Sequence, residues 1–154
     1  MVGLFIALLV MTIDMAVKSK IVEMPAEAFP MEKLEGRVNV TRVYNEGMAC
    51  NFKADEPEKV RKISTIVLAV FTLLSLPLFF SKKARKIKKL GASLIIGGAA
   101  SNLYDRYQRG KVVDYIEFNY KKPERLSGIT YNLSDFFILA GVIMYGMGRK
   151  KKRK

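Results

Sequence analysis

The residues best placed to do chemistry are acids beside apolar sequence. Four aspartates share one property, in that each lies next to or inside an apolar segment: Asp14, Asp105, Asp114 and Asp135. If these apolar segments lie in a membrane, an ionisable group within them is costly to bury. Such a group usually faces a partner or a water-filled cavity. Two carboxylates held close together cannot both ionise easily, so one keeps a proton while the other acts as a base.

Asp114 and Asp135 are the pair that the chain order favours for hydrolysis. Asp114 lies on the segment that leaves the third apolar stretch, Asp135 starts the fourth, and the loop between them is long enough to fold back. Such a pair can activate water and protonate a leaving amine, which hydrolyses a peptide bond without His, metal or covalent intermediate. The alternative for Asp114 is a solvated loop acid, whereas Asp135 lies amid apolar residues and needs a partner.

Several other polar residues share a helix face with these acids. Asp14 and Lys18 are four residues apart, which favours an ion pair that anchors a helix end over a chemical role. Asn102, Asp105 and Arg106 also fall on one face, and Asp105 is either part of a site or in an ion pair with Arg106 or Lys18.

The start of the fourth apolar stretch carries a helix-capping signal. Asn132 precedes Asp135 by three residues and is a candidate N-cap, which places Asp135 in the first turn, where the helix dipole favours a carboxylate.

The composition excludes several kinds of catalytic site. The chain has no His and one Cys, Cys50, so Ser-His-Asp, Cys-His and His-ligated metal sites are absent. There is no phosphate-binding GxxxxGK[ST] loop. Hydrolytic chemistry must therefore come from carboxylates, from carboxylate-bound metal, or from Ser19 or Ser134 with Lys18 as base. Cys50 is interpreted as a small buried hydrophobe.

The elements that must position these residues are membrane helices. Apolar runs of about 18 residues are typical of membrane spans. We predict a single membrane domain over residues 1–154, with four spans that alternate with loops: residues 2–17, 63–80, 90–106 and 131–148. We expect the first span to remain uncleaved, because a positively charged start and a clear cleavage site are missing.

The net charge of +13 is distributed as in a membrane protein. Most of the excess lies in residues 81–90 and 149–154, whereas residues 19–62 are balanced. Basic cytoplasmic loops predict that both termini are cytoplasmic and that the four acids lie near the extracytoplasmic face. The basic runs contain no interleaved aromatic residues, so nucleic acid is not an expected partner.

Part of the outer loop at residues 19–62 has the pattern of a β-strand. Residues 37–44 alternate with period two, and Asn45, Glu46 and Gly47 form a turn signal, so we predict a hairpin on the outer surface.

Four motifs occur in the order found in one enzyme family. They are IDMAVK at residues 13–18, YNEGMACNF at 44–52, GGAASNLYDRYQRGKVVDYIEF at 97–118, and YNLSDFFILAG at 131–141. Together they resemble the lipoprotein signal peptidases, or type II signal peptidases. The resemblance implies a mainly α, integral membrane fold with four transmembrane helices, a small extracytoplasmic β-rich element and a short outer helix.

The resemblance also implies an activity and a set of site residues. It implies an aspartyl endopeptidase of the bacterial cytoplasmic membrane that cleaves the signal peptide from a prolipoprotein, just before the diacylglyceryl-modified Cys. Its partners would be that substrate and membrane lipid, with no cofactor and no metal. By motif, Asp114 and Asp135 are catalytic, and the supporting or substrate-binding positions are Asp14, Lys18, Asn45, Gly47, Asn102, Asp105, Arg106 and Asn132.

The chain departs from the family pattern at a few positions. Ser101 replaces a Gly, Ser134 replaces an Ala, and Met48 and Cys50 differ from the family's Ala and Phe. The alternative function from a different class is a small proton or cation carrier that uses the clustered carboxylates.

Overall fold

The computed structural model describes residues 2–47, 56–119 and 129–147, which form four α-helices and one four-stranded antiparallel sheet. The helices are α1 (Val2–Glu23), α2 (Pro57–Phe80), α3 (Lys86–Gln108) and α4 (Leu133–Met147). The strands are β1 (Met31–Lys33), β2 (Val38–Asn45), β3 (Val112–Phe118) and β4 (Thr130–Tyr131), in that spatial order.

A helix lies at each of the four predicted apolar spans, but three of the helices extend past the apolar sequence. α1 continues to Glu23, α2 begins at Pro57 and α3 begins at Lys86. Backbone hydrogen bonding continues through charged residues, whereas an apolar run marks only the stretch suited to lipid. α4 begins at Leu133, two residues after the predicted start, because Asn132 caps it.

Two of the helices, α1 and α2, are long and apolar enough to cross a membrane, and α4 is an apolar helix of 15 residues. α2 turns large apolar side chains outward, with Val67 62%, Leu73 65% and Leu74 75% exposed. A contiguous exposed apolar surface of this kind favours contact with lipid. Membrane crossing by α3 and α4 remains a prediction.

α3 is the central helix, and it meets α4 at backbone contact. A Cβ atom added to Gly91 would lie 2.7 Å from the carbonyl oxygen of Gly141, and one added to Gly98 would lie 2.8 Å from that of Ser134. Only residues without a side chain allow two helices to approach so closely, which is a common feature of helix packing in membranes.

The sheet confirms the predicted strand but places the hairpin turn elsewhere. β2 covers the alternating segment, and its hairpin partner β1 precedes it through a turn at residues 34–37, where Leu34, Glu35 and Gly36 have positive φ. The predicted turn at residues 45–47 instead ends β2. The second neighbour of β2 is β3, a pairing across about 70 residues of sequence that no local pattern predicts.

A short outer helix was also expected. Outside the four long helices, the described residues contain one short helical element, the 3-10 turn Ala26–Ala28 between α1 and β1.

Candidate active site

β3 carries Asp114 to the wall of a cavity. Successive residues of a strand point to opposite faces of the sheet. Val113 and Tyr115 pack with Ile21 of α1 in an apolar cluster, whereas Val112 and Asp114 line the cavity on the other face. Asp114 is only 4% exposed, so the interpretation of this residue as a solvated loop acid is wrong.

Asp135 is held in the first turn of α4 by a reciprocal cap. The Asp135 N–H donates to Asn132 Oδ1 at 3.1 Å, and the Asn132 N–H donates to Asp135 Oδ2 at 3.0 Å. This is the arrangement of a capping box, which satisfies two backbone donors that a helix start otherwise leaves open. The structure therefore contains the predicted N-cap, and the cap fixes the orientation of the Asp135 carboxylate.

Three asparagines donate hydrogen bonds to the two acids, and one of them contacts both. Asn132 Nδ2 donates to Asp114 Oδ1 at 2.6 Å, so one residue contacts both carboxylates. Asn45 Nδ2 donates to Asp114 Oδ2 at 3.1 Å, and Asn102 Nδ2 donates to Asp135 Oδ1 at 3.2 Å. Within the described part of the chain, neither acid forms an ion pair with a Lys or Arg. We call Asp114 and Asp135 the cavity pair.

The cavity pair lines a groove of about 390 Å³ between β3 and α4. Most of the remaining wall is apolar, with a few polar groups near the two carboxylates. Its other lining residues are Asn45, Asn102, Arg106, Val112, Ile129, Thr130, Tyr131, Asn132, Ile138, Leu139 and Val142. A mostly apolar concave site with a few convergent polar groups is typical of ligand and substrate pockets.

The environment of Asp114 favours its protonated form. Burial raises the pKa of Asp114 from 3.8 to about 6, and the negative charge of Asp135 acts in the same direction. The amide donors of Asn45 and Asn132 oppose this pKa shift without cancelling it. A carboxyl that holds its proton close to neutral pH suits a pair that shares one proton between acid and base.

Arg106 adds spare hydrogen-bond donors to the same groove. Its side chain is 9% exposed, and Nη2 donates to the carbonyl of Gly47, which brings that predicted site residue to the cavity. Among the described residues, Nε and Nη1 of Arg106 have no hydrogen-bond partner. Buried donors of this kind are costly to leave unpaired and are suited to a bound ligand.

A second group of charges lies behind the cavity and is closed to solvent. Lys18 Nζ lies 2.8 Å from Asp14 Oδ2 and 3.1 Å from Asp105 Oδ2, and all three side chains are 0% exposed. We call Asp14, Lys18 and Asp105 the buried ion-pair cluster. Lys18 Nζ also donates to Asn102 Oδ1 at 2.7 Å, so Asn102 links this cluster to Asp135.

The buried ion-pair cluster contains the helix-anchoring pair Asp14–Lys18 that the spacing indicated. Of the two partners considered for Asp105, the structure forms the ion pair with Lys18.

Two residues of this network were missed from the sequence. Arg109 pairs with Asp105 and donates to Ser19 Oγ at 3.3 Å, and the spacing of four residues between Asp105 and Arg109 was the available signal. Tyr115 Oη donates to Asp14 Oδ1 at 3.2 Å and accepts the Leu133 N–H at 3.1 Å.

A Ser–Lys site is not formed by these residues. Ser134 is 0% exposed, does not line the groove, and donates its hydroxyl to Asp14 Oδ2 at 2.5 Å. Lys18 is bonded to the same oxygen atom, so it does not face Ser134 as a free base. Ser19, the other candidate nucleophile, accepts a hydrogen bond from Arg109.

Some expectations fall outside the described residues. These are the departures at Met48 and Cys50, the interpretation of Cys50 as a buried hydrophobe, and the basic tail at residues 149–154. Within residues 2–47, 56–119 and 129–147, no group of three or more His, Cys, Asp or Glu side chains is arranged to hold a metal ion.

The sequence is similar to that of one known family. The family described as signal peptidase (SPase) II matches residues 6–148. The lipoprotein signal peptidase of Aeromonas hydrophila subsp. hydrophila is 30% identical over 156 residues, covering 97% of this chain and 90% of that protein. The lipoprotein signal peptidase of Sulfurihydrogenibium sp. is 30% identical over 155 residues, covering 96% and 92%.

The fold is similar to solved structures. Two crystal structures described as a bacterial membrane enzyme, determined by the in meso method at 1.9 and 2.3 Å resolution, match with TM-scores of 0.76 and 0.74. Each is 25% identical in sequence to this chain, and each match covers 99% of this chain. The matches cover 94% of the 1.9 Å structure and 93% of the 2.3 Å structure.

Proposed function

The chain belongs to the signal peptidase II family, and from that premise we propose that it is an aspartyl endopeptidase whose catalytic residues are Asp114 and Asp135. Membership of the family makes the chain a peptidase that removes signal peptides from lipoproteins. The observation that carries the assignment of the cavity pair is that Asn132 contacts both carboxylates at the wall of one groove.

The reaction needs one proton shared by the two acids. The ionised carboxylate takes a proton from a water molecule, whose oxygen attacks the peptide carbonyl carbon. The protonated carboxyl then gives its proton to the leaving nitrogen as the C–N bond breaks, so the pair ends with one proton, as it began. The raised pKa of Asp114 and the three asparagine donors support this sharing, because they hold the carboxylates without a cation that would force both to ionise.

Arg106 is proposed to bind the substrate backbone. Its unpaired Nε and Nη1 are buried, and the residue lines the groove beside both acids. A donor aimed at the carbonyl oxygen of the scissile bond would stabilise the negative charge that develops on it.

The lipid of the substrate is proposed to lie in an adjoining groove. A second cavity of about 400 Å³ lies between α2, α3 and α4, and it shares Asn102, Arg106, Ile138 and Val142 with the first. The rest of its wall is mostly apolar and includes Val67, Leu68, Phe71 and Leu103. Acyl chains of a diacylglyceryl-modified prolipoprotein, entering from the bilayer, fit such a wall because apolar burial drives their transfer.

The proposed location is the bacterial cytoplasmic membrane, with four spans, both termini cytoplasmic and the cavity pair near the extracytoplasmic face. Six basic residues in residues 81–90, which comprise the connection after α2 and the start of α3, support this orientation. Labelling of single Cys variants at Lys82 and at Glu32 with an impermeant reagent tests it, since Glu32 is expected to react from outside and Lys82 only after the membrane is opened.

The catalytic assignment is tested by cleavage of a purified, lipidated precursor. Asp114→Asn and Asp135→Asn are each expected to lower kcat by about 10³-fold or more, because either change removes one half of an acid–base pair that acts as a unit. The matched control is Glu117→Gln on β3, which removes an acid that does not line the groove. Full activity in either Asp variant would refute the role assigned to that residue.

The same assay separates the alternatives. A Ser–Lys peptidase requires complete loss in Ser134→Ala with Asp114→Asn active, and the hydrogen bonds of Ser134 argue against it. The carrier alternative requires ion flux in proteoliposomes that stops on neutralising Asp135, and neither the family nor the groove supports it.

A further inference from the structure

Two buried serines, Ser101 on α3 and Ser134 on α4, meet on one atom. Both are 0% exposed, and their hydroxyls donate to Asp14 Oδ2 at 2.6 and 2.5 Å. The two serines lie on different helices, and the convergence of their hydroxyls on one carboxylate oxygen indicates a shared role.

Asp14 receives donors from α1, α3, α4 and β3. Lys18 Nζ bonds Oδ2 as well, and Oδ1 accepts the Tyr115 hydroxyl at 3.2 Å and the Ser134 N–H at 3.3 Å. A buried carboxylate is stable only when it is paired and hydrogen-bonded. Without the two serine hydroxyls, Lys18 would be the one remaining donor to Oδ2 in the described residues.

The N-terminus of α4 depends on this carboxylate. The Ser134 N–H bonds Asp14, the Leu133 N–H bonds Tyr115, and the Asp135 N–H bonds Asn132. The first N–H groups of a helix have no partner within the helix, so these bonds fix where the helix begins and how its first turn is rotated. Asp135 is the residue directly after Ser134, and its carboxylate direction follows that rotation.

We propose that Ser101 and Ser134 are positioning residues for peptide cleavage, acting as a coupled pair that holds Asp14 and, through it, the first turn of α4 and Asp135. This inference rests on the proposed role of Asp135 as a catalytic residue. The serines do not touch substrate, because neither lines the groove. Their effect is on the orientation of the reacting carboxylate, where displacements below 1 Å change the rate of the chemical step.

The test measures kcat and KM for a lipidated precursor with Ser101→Ala, Ser134→Ala and the double variant. Each single change is expected to lower kcat only about threefold with KM unchanged, because substrate contacts remain and the other hydroxyl still bonds Asp14 Oδ2. The double variant is expected to lose more than the product of the two single losses, because only then do both hydroxyls that hold Asp14 Oδ2 disappear.

The control is Ser93→Ala, which removes a fully buried serine of the same helix whose hydroxyl bonds the Lys89 carbonyl in α3 itself. It is expected to leave kcat and KM unchanged. The thermal midpoint of unfolding of each variant is measured in detergent. Ser101→Ala is not expected to lower it through helix propensity, because Ala is the best helix former. A loss of kcat with an unchanged midpoint supports positioning.

Three outcomes overturn the proposal: unchanged kcat in both serine variants, a rise in KM in place of a fall in kcat, or losses that multiply independently. The Asp114→Asn and Asp135→Asn variants are run beside them. If the two Asp variants are inactive while the serine variants are fully active, the positioning role of the serines is refuted, and the catalytic role of Asp114 and Asp135 is supported. If the Asp variants are active, the proposed function itself fails.

Discussion

The buried ion-pair cluster and the cavity pair share Asn102 but hold their acids in opposite ways. Asp14 and Asp105 are bonded to Lys18, closed to solvent and supplied with charged donors. Asp114 and Asp135 receive amide and backbone donors and border an open groove. Burial with neutral donors leaves the pKa of Asp114 raised to about 6, so this carboxyl can exchange a proton near neutral pH.

β3 separates the two regions by its alternation. Asp114 faces the groove, and the next residue, Tyr115, faces Asp14 on the other side of the sheet. Burial raises the pKa of Tyr115, and the nearby charge of Asp14 raises it further, so its hydroxyl remains a donor. One strand therefore supplies a reacting group to one region and a structural hydrogen bond to the other.

The largest expected effect comes from removing the cation of the cluster. Lys18→Met leaves Asp14 and Asp105 buried without their shared partner, and breaking a buried pair in this way costs about 3–5 kcal/mol. The thermal midpoint in detergent is expected to fall sharply, whereas the control Lys20→Met, an exposed residue two positions along α1, leaves it near the wild-type value. A midpoint equal to that of the control would mean that the cluster does not hold the fold.

In the cavity pair, removing a charged group is expected to raise the free energy of unfolding, the opposite of the effect expected in the buried ion-pair cluster. Because the pKa of Asp114 is raised from 3.8 to about 6, its ionised form costs the folded state about 3 kcal/mol above pH 6. Asp114→Asn is therefore expected to raise the unfolding free energy at pH 8, and the gain should shrink as the pH falls from about 6 to 4. Asn45 Oδ1, which has no partner among the described residues, is available to accept the new amide.

Thermal melts of Asp114→Asn at pH 8 and pH 5 measure this difference. Glu117→Gln is again the control, since its side chain is only partly buried on the same strand. Destabilisation by Asp114→Asn of equal size at both pH values would contradict the raised pKa.

The pH dependence of kcat reports the proton shared by the cavity pair. The pair is active with one proton, and that proton leaves as the pH rises, so kcat is expected to fall on the alkaline side with an apparent pKa no lower than about 6. Single-turnover cleavage between pH 5 and 10 checks this. A rate that is flat over the whole range would remove the case for a shared proton.

The smallest expected effect is at the edge of the cluster. Arg109 pairs with Asp105, but its side chain is 24% exposed and Lys18 remains as a second partner. Arg109→Gln is therefore expected to lower the unfolding free energy by only about 1 kcal/mol, well below the loss in Lys18→Met. Equal losses in the two variants would show that both cations contribute alike.

The helices could be predicted because hydrophobicity along the chain is a local property. The ion pair Asp14–Lys18 and the cap at Asn132 were predictable for the same reason, since helix geometry fixes the positions of residues three and four apart. The ends of the helices were harder to predict, because Glu23 and Lys86 are helical although the sequence around them is polar.

The division of the acids into two regions was not predictable from spacing. Asp105 and Asp114 are close in sequence, yet one belongs to the ion-pair cluster and the other to the cavity pair. That separation depends on the pairing of β3 with β2, which places Val43 opposite Asp114 and Asn45 on the same face. Chain order favoured Asp114 and Asp135 as a pair, and the motif resemblance pointed to the same two residues more specifically, because a motif carries three-dimensional information that charge and periodicity lack.

The glycine contacts of α3 fix the distance between the two helices that carry Asn102 and Asp135. Where backbone touches backbone, as between Gly91 and Gly141, neither helix has side chains that can rotate aside. α2 meets the bundle through side chains, with only Val60 and Ser75 fully covered. The spacing of α3 and α4 is therefore set by backbone rather than by side-chain rotamers, and Asn102 on α3 stays within hydrogen-bond distance of Asp135 on α4.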